Sequence, residues 1–490
     1  MPPSDYLSVS AINRALSTMP VTFPDLCTKI ILPEKSIELR SVLAVKLAKG
    51  TGPKRRGVLF LGGVHARELI NPDLLVALAL KLCQAYTDGT GLTFGGKVFE
   101  ADTIKLLIEN LDIFIMPLVN PDGRAFVQQT TGGDAMWRKN RNPNPGMPCK
   151  GVDINRNFDF LHASGIDTST NTCSLLFKGA NPFSEPETRN VRHMLDTFPN
   201  IMGMVDIHSY SELILYPWGD DNNQTTDSNM NFSNPAFDGL RGVRDDTVYK
   251  EFIRKLDLDF FVKTADKMRE ATAAVRGRFY RAEQGVLLYP YSATSSDWAY
   301  SRNYVNASLR KVFAFAYETA REFQPPMAEA QNVMAEVSAG LLHFCTAMLC
   351  VAETTLNATA LAAELDHMRE FRDKELITTA AGRKYVDLFE DNGLELMRIM
   401  LDDEKLREQA IALAGQINEV VKSRKTSKPK TLSSNITVAT DKLLKTFGSK
   451  ASPELKKAIA EVRTDLKYFK GKSVLDGLAA VSKLKTKTQK

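Results

Sequence analysis

Six short apolar runs separated by helix-length stretches dominate the first two thirds of the chain, and this alternation restricts that part to an α/β layer structure. The runs are SVLAVKLA (41–48), GVLFLGGV (57–64), LDIFIMPLVN (111–120), IMGMVDIHS (201–209), GVLLY (285–289) and KVFAFAYE (311–318). Between them, residues 71–86 and 249–275 repeat apolar side chains at helical spacing. The expectation is a mixed, mostly buried β-sheet flanked by helices. After QPP at 324–326 the strand signals nearly vanish and long amphipathic patterns take over, notably 361–376 and 392–424. The double proline is a natural stop. The chain therefore reads as an α/β domain over 1–325, a helical region over 327–424 and a basic, Lys-rich helical tail over 425–490, with a Ser/Lys/Pro-rich linker near 425–435.

Charge is unevenly spread. The net charge is +5, yet residues 421–490 hold 18 Lys and Arg against 5 Asp and Glu, a net +13, leaving −8 for residues 1–420. Clusters such as KSRKTSKPK (422–430) and KLKTKTQK (483–490) read first as solvated ends, ahead of a nucleic-acid or anionic-surface contact. No apolar run reaches the roughly 18 residues of a membrane span, and the N-terminal MPPSDYLSVS has neither half of an export signal. The six cysteines have no C-x-x-C spacing of a structural zinc or redox site.

In an open α/β sheet ligands gather at the carboxyl ends of strands. His65 and Glu68 follow one expected strand in FLGGVHARELINPD, His208 closes another, and Glu318 closes a third. Two histidines and a glutamate are a donor set for a catalytic zinc with a fourth position left for water, and Glu318 is then a spare carboxylate, free to act as a general base. Each residue alone reads equally well as a satisfied polar group in a core or rim.

The blocks HARE (65–68), NPDG (120–123), WRKNR (137–141), GVDINRNF (151–158), DIHSYSELILYPWG (206–219), DWAY (297–300) and FAYE (315–318) give the chain a resemblance to zinc metallocarboxypeptidases of the pancreatic carboxypeptidase A and B type. The blocks stand in that family's order and cover most of residues 5–323. The resemblance implies a zinc carboxypeptidase domain over 1–325, with one Zn2+ held by His65, Glu68 and His208. It also implies Glu318 as general base and proton shuttle, and Arg138 as the group that polarises the scissile carbonyl. Asn155, Arg156 and Tyr289 would clamp the substrate's terminal carboxylate, Arg67 and Tyr210 would line the substrate path, and Asp153 would orient the first zinc histidine. Cys149 and Cys173 align with a disulfide common in secreted members, which sets a secreted form against the missing export signal.

Two features depart from the pattern. Asp297 and Glu318 are 21 residues apart, a longer spacing than in the pancreatic enzymes, so SRNYVNASLRK adds a loop or lengthens a helix before the last strand. Ser296 stands where the family chooses between apolar and basic side chains. With Leu215, Ala316 and Gln284 it suggests a neutral pocket, a reading that the neighbouring Glu283 could change. The expected partners are peptide or protein C-termini. The C-terminal helices add a protein partner or self-association. An amidase or peptidase acting on an unusual substrate, such as a cell-wall peptide or a modified tail, and a catalytically silent peptide-binding module remain as alternative functions.

Overall fold

The computed structural model describes residues 5–50, 55–349 and 365–488. They divide into two compact units, Met1–Met348 and Leu349–Lys490.

The first unit is built on an eight-stranded sheet. Its strands are β1 Cys27–Ile31, β2 Leu43–Leu47, β3 Arg56–Gly62, β4 Leu111–Met116, β5 Ile201–Ser209, β6 Leu213–Tyr216, β7 Arg281–Gln284 and β8 Phe313–Thr319. They lie in the order β1-β2-β4-β3-β5-β8-β6-β7. The four central strands β4, β3, β5 and β8 run parallel. β1, β2 and the β6–β7 pair add antiparallel contacts at the two sides. The parallel centre is covered on both faces, which is why its strands are continuously apolar: Val58, Leu59, Phe60, Ile113, Phe114, Ile115, Ala314 and Phe315 are fully buried.

Eight helices accompany the sheet: α1 Val9–Thr22, α2 Ile70–Asp88, α3 Ala101–Asn110, α4 Pro121–Gln129, α5 Pro186–Thr197, α6 Lys255–Arg276, α7 Ser295–Val305 and α8 Met327–Met348. α8 lies beyond the double proline at which the sequence ends the first domain. It packs on α2 and α6, with Val337, Leu341, Leu342, Phe344 and Cys345 buried against the sheet unit. The α/β unit therefore ends near Met348 rather than at 325.

Three further expectations shift. The strand expected at 285–289 is a single 3-10 turn, Gly285–Leu287, and the paired segment is the preceding Arg281–Gln284. That strand lies at the sheet edge and is largely polar, so it gives no apolar signal. The run 111–120 stops pairing at Met116, because Pro117 has no N–H to donate. The helix expected from 249 begins at Lys255, since Glu251–Phe252 instead pairs with Asn223–Gln224.

The second unit is all-helical: α9 Leu365–Lys374, α10 Ala380–Asp391, α11 Gly393–Asp402, α12 Glu404–Lys422, α13 Ser434–Lys450, α14 Pro453–Asp465 and α15 Val474–Thr488. Of the pattern 361–376, residues 361–364 lie outside the described residues. The long pattern 392–424 is broken at Asp403, whose carboxylate accepts the Leu406 N–H and caps α12. Ala381 on α10 packs with Leu478 and Val481 on α15, joined by Tyr385, Phe469 and Leu475. Several of the basic residues pair with acidic ones of the same bundle. Arg424 pairs with Glu375, Lys425 with Glu370 and Lys450 with Asp403.

Candidate active site

The carboxyl ends of β3, β5 and β8 converge. Parallel pairing of β5 with β8 sets His208 beside Glu318, and Gly62 at the end of β3 lies beside Ile207. The chain leaves β3 through Gly62 and Gly63. Gly63 has φ +61, and a Cβ there would come within 2.9 Å of Leu118 and Pro72, so only glycine allows this close turn into His65. Asn120 caps α4 and braces the turn, its amide donating to the carbonyls of Val64 (3.2 Å) and Lys139 (3.1 Å). The NPDG block thus holds the residue before His65 and the residue after Arg138.

His65, Glu68 and His208 are buried, and their donor atoms lie within 4.8 Å of one another. Glu68 Oε1 is 2.8 Å from His65 Nδ1, Glu68 Oε2 is 3.4 Å from His208 Nδ1, and the two Nδ1 atoms are 3.2 Å apart. Glu68 Oε2 also accepts the Ser209 N–H at 3.0 Å, fastening the turn after β3 to the end of β5. Each imidazole has a carboxylate at its other nitrogen. His65 Nε2 is 3.2 Å from Asp153 Oδ1, and His208 Nε2 is 3.1 Å from Asp206 Oδ2. Burial works to raise the Glu68 pKa, but the two imidazoles outweigh it and hold the carboxyl well below its usual range. Burial likewise works to lower His208, and Asp206 and Glu68 drive it far above the ordinary imidazole value. The cage attracts positive charge.

One cavity of about 190 Å3 joins this cage to the remaining expected residues: Arg67, Arg138, Asn155, Arg156, Tyr210, Tyr289, Ser296 and Glu318 all line it. Between Asp297 and Glu318 the chain completes α7 at Val305 and makes a turn before β8, which sets Glu318 in register with His208. Burial pushes Glu318 up to about 7, with His208 pulling the other way. Arg138 is held by Asp153 at 3.0 Å and its Nη1 reaches to 3.4 Å from His65 Nδ1. Asp153 thereby touches both His65 and Arg138. Asn155 accepts the Ser295 N–H at 2.9 Å.

Arg156 has a partner that the sequence does not announce. It donates from Nη2 to Asp167 Oδ2 (2.6 Å), from Nε to the Asp167 carbonyl (2.8 Å) and from Nη1 to the Asn155 carbonyl (2.9 Å). Two of its five N–H donors are left for a ligand. Arg67 lies 3.9 Å over the Phe323 ring, and Tyr210 packs edge-on against the same ring at 4.8 Å, forming one wall of the cleft. Gln284 is not in the cleft. Its amide donates to the carbonyls of Trp218 and Asp221, work that an edge strand needs done internally. Glu283 is 3.3 Å from Arg281 and also stays out of the cavity lining. Asp206, Asp167, Tyr291, Thr294 and Phe323 are the site residues that the sequence reading missed. Only Asp206 leaves a trace, lying two residues before His208 on the same strand face.

Residues 12–339 match the family model described as zinc carboxypeptidase. The chain belongs to that family. Among curated zinc carboxypeptidases, mouse carboxypeptidase A4 is 29% identical over 296 residues, spanning 60% of this chain and 59% of the relative. Carboxypeptidase B of Astacus astacus is 33% identical over 219 residues, 44% of this chain and 65% of the relative. The matches thus span about half to two thirds of the curated relatives' own length. In fold, carboxypeptidase A from Helicoverpa armigera aligns with TM-score 0.53 at 24% identity, over 69% of this chain and 73% of that one. Bovine thrombin-activatable fibrinolysis inhibitor, solved with a tick carboxypeptidase inhibitor, aligns with TM-score 0.53 at 23% identity, over 70% and 97%.

Zinc carboxypeptidases use one zinc ion. Bonds of about 2.0–2.2 Å at tetrahedral angles place neighbouring ligand atoms roughly 3.3–3.6 Å apart. The donor separations of 3.2 and 3.4 Å match that closely, and the third, 2.8 Å, is about half an ångström shorter. The chemistry fits as well: two imidazole nitrogens and a carboxylate, with Asp153 and Asp206 poised to fix the imidazole tautomers. The expected disulfide forms, joining Cys149 and Cys173 across 24 positions. Lys139 donates to the carbonyls of Thr172 and Ser174 on either side of it, so the cross-link steadies the segment that carries Arg138. No helix among the described residues is long and apolar enough to cross a membrane.

Proposed function

We propose that the protein is a zinc metallocarboxypeptidase that hydrolyses the C-terminal peptide bond of peptides or proteins. The observation that carries this reading is the meeting, in one cavity, of a three-donor metal cage, a half-buried carboxyl pushed up to about 7 and a guanidinium with donors to spare. His65, Glu68 and His208 would hold the zinc. Bound there, it supplies Lewis acidity and brings a water's pKa toward neutrality. Glu318 is suited to take a proton near pH 7 and to return it to the departing amine. Arg138, steadied by Asp153, aims N–H donors at the region where negative charge develops on the scissile carbonyl oxygen. Arg156, Asn155 and Tyr289 would hold the free α-carboxylate, Arg156 through the two donors that Asp167 leaves unused. That clamp, rather than the metal, confines cleavage to the last bond. Leu215, Ala316, Leu288, Thr294 and Ser296 make a neutral pocket, apolar on one side and hydroxylated on the other.

The test is release of the last residue from N-blocked dipeptides by the zinc-loaded protein, with and without chelator. Chelator-sensitive release of a free amino acid is expected. Hydrolysis of C-terminal amides but not acids would replace the reading with an amidase, and binding without release would replace it with a silent module. For compartment, the Cys149–Cys173 disulfide supports a secreted form, which thiol titration of the protein from its natural source tests. Helices α9–α15 would supply surface for a protein partner or self-association, read by sedimentation-equilibrium mass in solution.

A further inference from the structure

Tyr291 stands out in the cavity lining because its ring takes the place of two missing side chains. A Cβ on Gly219 would meet Tyr291 Cε2 at 2.0 Å, and a Cβ on Gly285 would meet its hydroxyl oxygen at 2.1 Å. The Tyr291 N–H also donates to the Gly219 carbonyl at 2.8 Å. Backbone and ring are therefore fixed to one spot, wedged against two glycines, and the residue is only 7% exposed. On its cavity side the ring lies 5.9 Å from the Arg156 guanidinium and meets Tyr289 edge-on at 5.9 Å.

We propose that Tyr291 is a specificity-determining residue, its ring closing the pocket that receives the C-terminal side chain, so that small residues are selected over large ones. The inference rests on the carboxypeptidase reading, because Arg156 must hold the terminal carboxylate for the adjoining space to receive the last side chain. Leu215, Ala316, Thr294 and Ser296 line that space. Without the ring, the pocket would run on to the bare backbone of Gly219 and Gly285. With it, the ring occupies space that a phenylalanine, leucine or arginine side chain would otherwise use. The wedge is held by backbone contacts on both sides, so substrate cannot displace it as it could a flexible surface side chain. Pocket contacts of this kind discriminate by about 10 to 200-fold per misfitting group.

The experiment compares N-blocked dipeptides ending in Ala, Ser, Val, Leu, Phe and Arg on the zinc-loaded wild type and on Tyr291→Ala, Tyr291→Leu and Tyr291→Phe. Wild type should favour Ala, Ser and Val over Phe and Arg by at least about tenfold in kcat/KM. Tyr291→Ala should shrink or reverse that ratio, Tyr291→Leu should do so partly, and Tyr291→Phe should preserve it. The Leu variant and the wild-type profile keep the test decisive should Tyr291→Ala fold poorly. Phe released as readily as Ala by wild type, or an unchanged ratio in a folded Ala or Leu variant, would overturn the proposal. Calorimetric binding of the same peptides to Glu318→Gln separates the two readings. Preferential binding of Ala-ended peptides with no release by wild type fails the carboxypeptidase reading and keeps the pocket, whereas release with equal binding of Ala- and Phe-ended peptides fails the pocket alone.

Discussion

Glu68 ties two strand ends together as well as completing the donor cage, so Glu68→Ala removes a buried acceptor from Ser209 and one of three proposed metal donors. Glu68→Ala and His208→Ala should each purify with little or no zinc, because two remaining donors do not retain the ion. Metal analysis of the purified variants reads this directly, and full occupancy in either would mean that other side chains bind it. Glu318→Gln should retain the ion yet lose turnover by a factor of about 10² or more, since the amide cannot take up a proton. The Asp167 contact sets the size of a third effect. Amidating the substrate's C-terminus removes the anion, but Arg156 stays paired with Asp167, so the loss is that of charged hydrogen bonds, about 1.5–3 kcal/mol, or roughly 10 to 150-fold in kcat/KM. Equal rates on acid and amide would refute the clamp. His65, Glu68, Arg138 and Arg156 were legible because short motifs carry them at fixed spacing. Asp167 and Tyr291 were not, since Asp167 meets Arg156, and Tyr291 wedges against Gly219 and Gly285, only in the folded chain.

At the level of single elements, the start of α5 holds an unusual proton. Glu187 is fully buried, and burial with the neighbouring Glu185 pushes its carboxyl up to about 8. The folded-state value lies above the unfolded one, so this group's contribution is fully present below about pH 4.5 and is lost as pH rises toward 8. Wild-type stability should therefore decline across that window by up to about 1.4 kcal/mol per pH unit for this proton, and Glu187→Gln should flatten the slope. Thermal melts at fixed salt between pH 5 and pH 8 measure it, and identical slopes would exclude the site. The disulfide is a second element-level device. Replacing Cys149 and Cys173 together with serine should lower stability by about 3 kcal/mol through the freed loop and loosen the Lys139 segment beside Arg138. Central strands announced themselves by continuous apolarity. The edge strand Arg281–Gln284 did not, because one exposed flank removes the pattern that marks a buried strand.

Over the whole chain, the break in texture at the double proline misdirected the domain limit, since a proline pair ends an element without ending a core. α8 restores the buried face that a boundary at 325 would strip, and a chain ending at Gln324 should be insoluble where one ending at Met348 is not. The second unit carries its charge in two opposed halves. Residues 349–420 hold 15 Asp and Glu against 8 Lys and Arg, a net −7, against the +13 of residues 421–490. Each exposed pair contributes at most about 1 kcal/mol, so raising salt should weaken this unit only modestly at equilibrium. Kinetically the same arrangement weighs more. Opposite polyions on one chain find each other by long-range attraction, so docking of the basic helices onto the acidic ones during refolding should be fast in dilute buffer and slow markedly once ionic strength shortens the Debye length to a few ångströms.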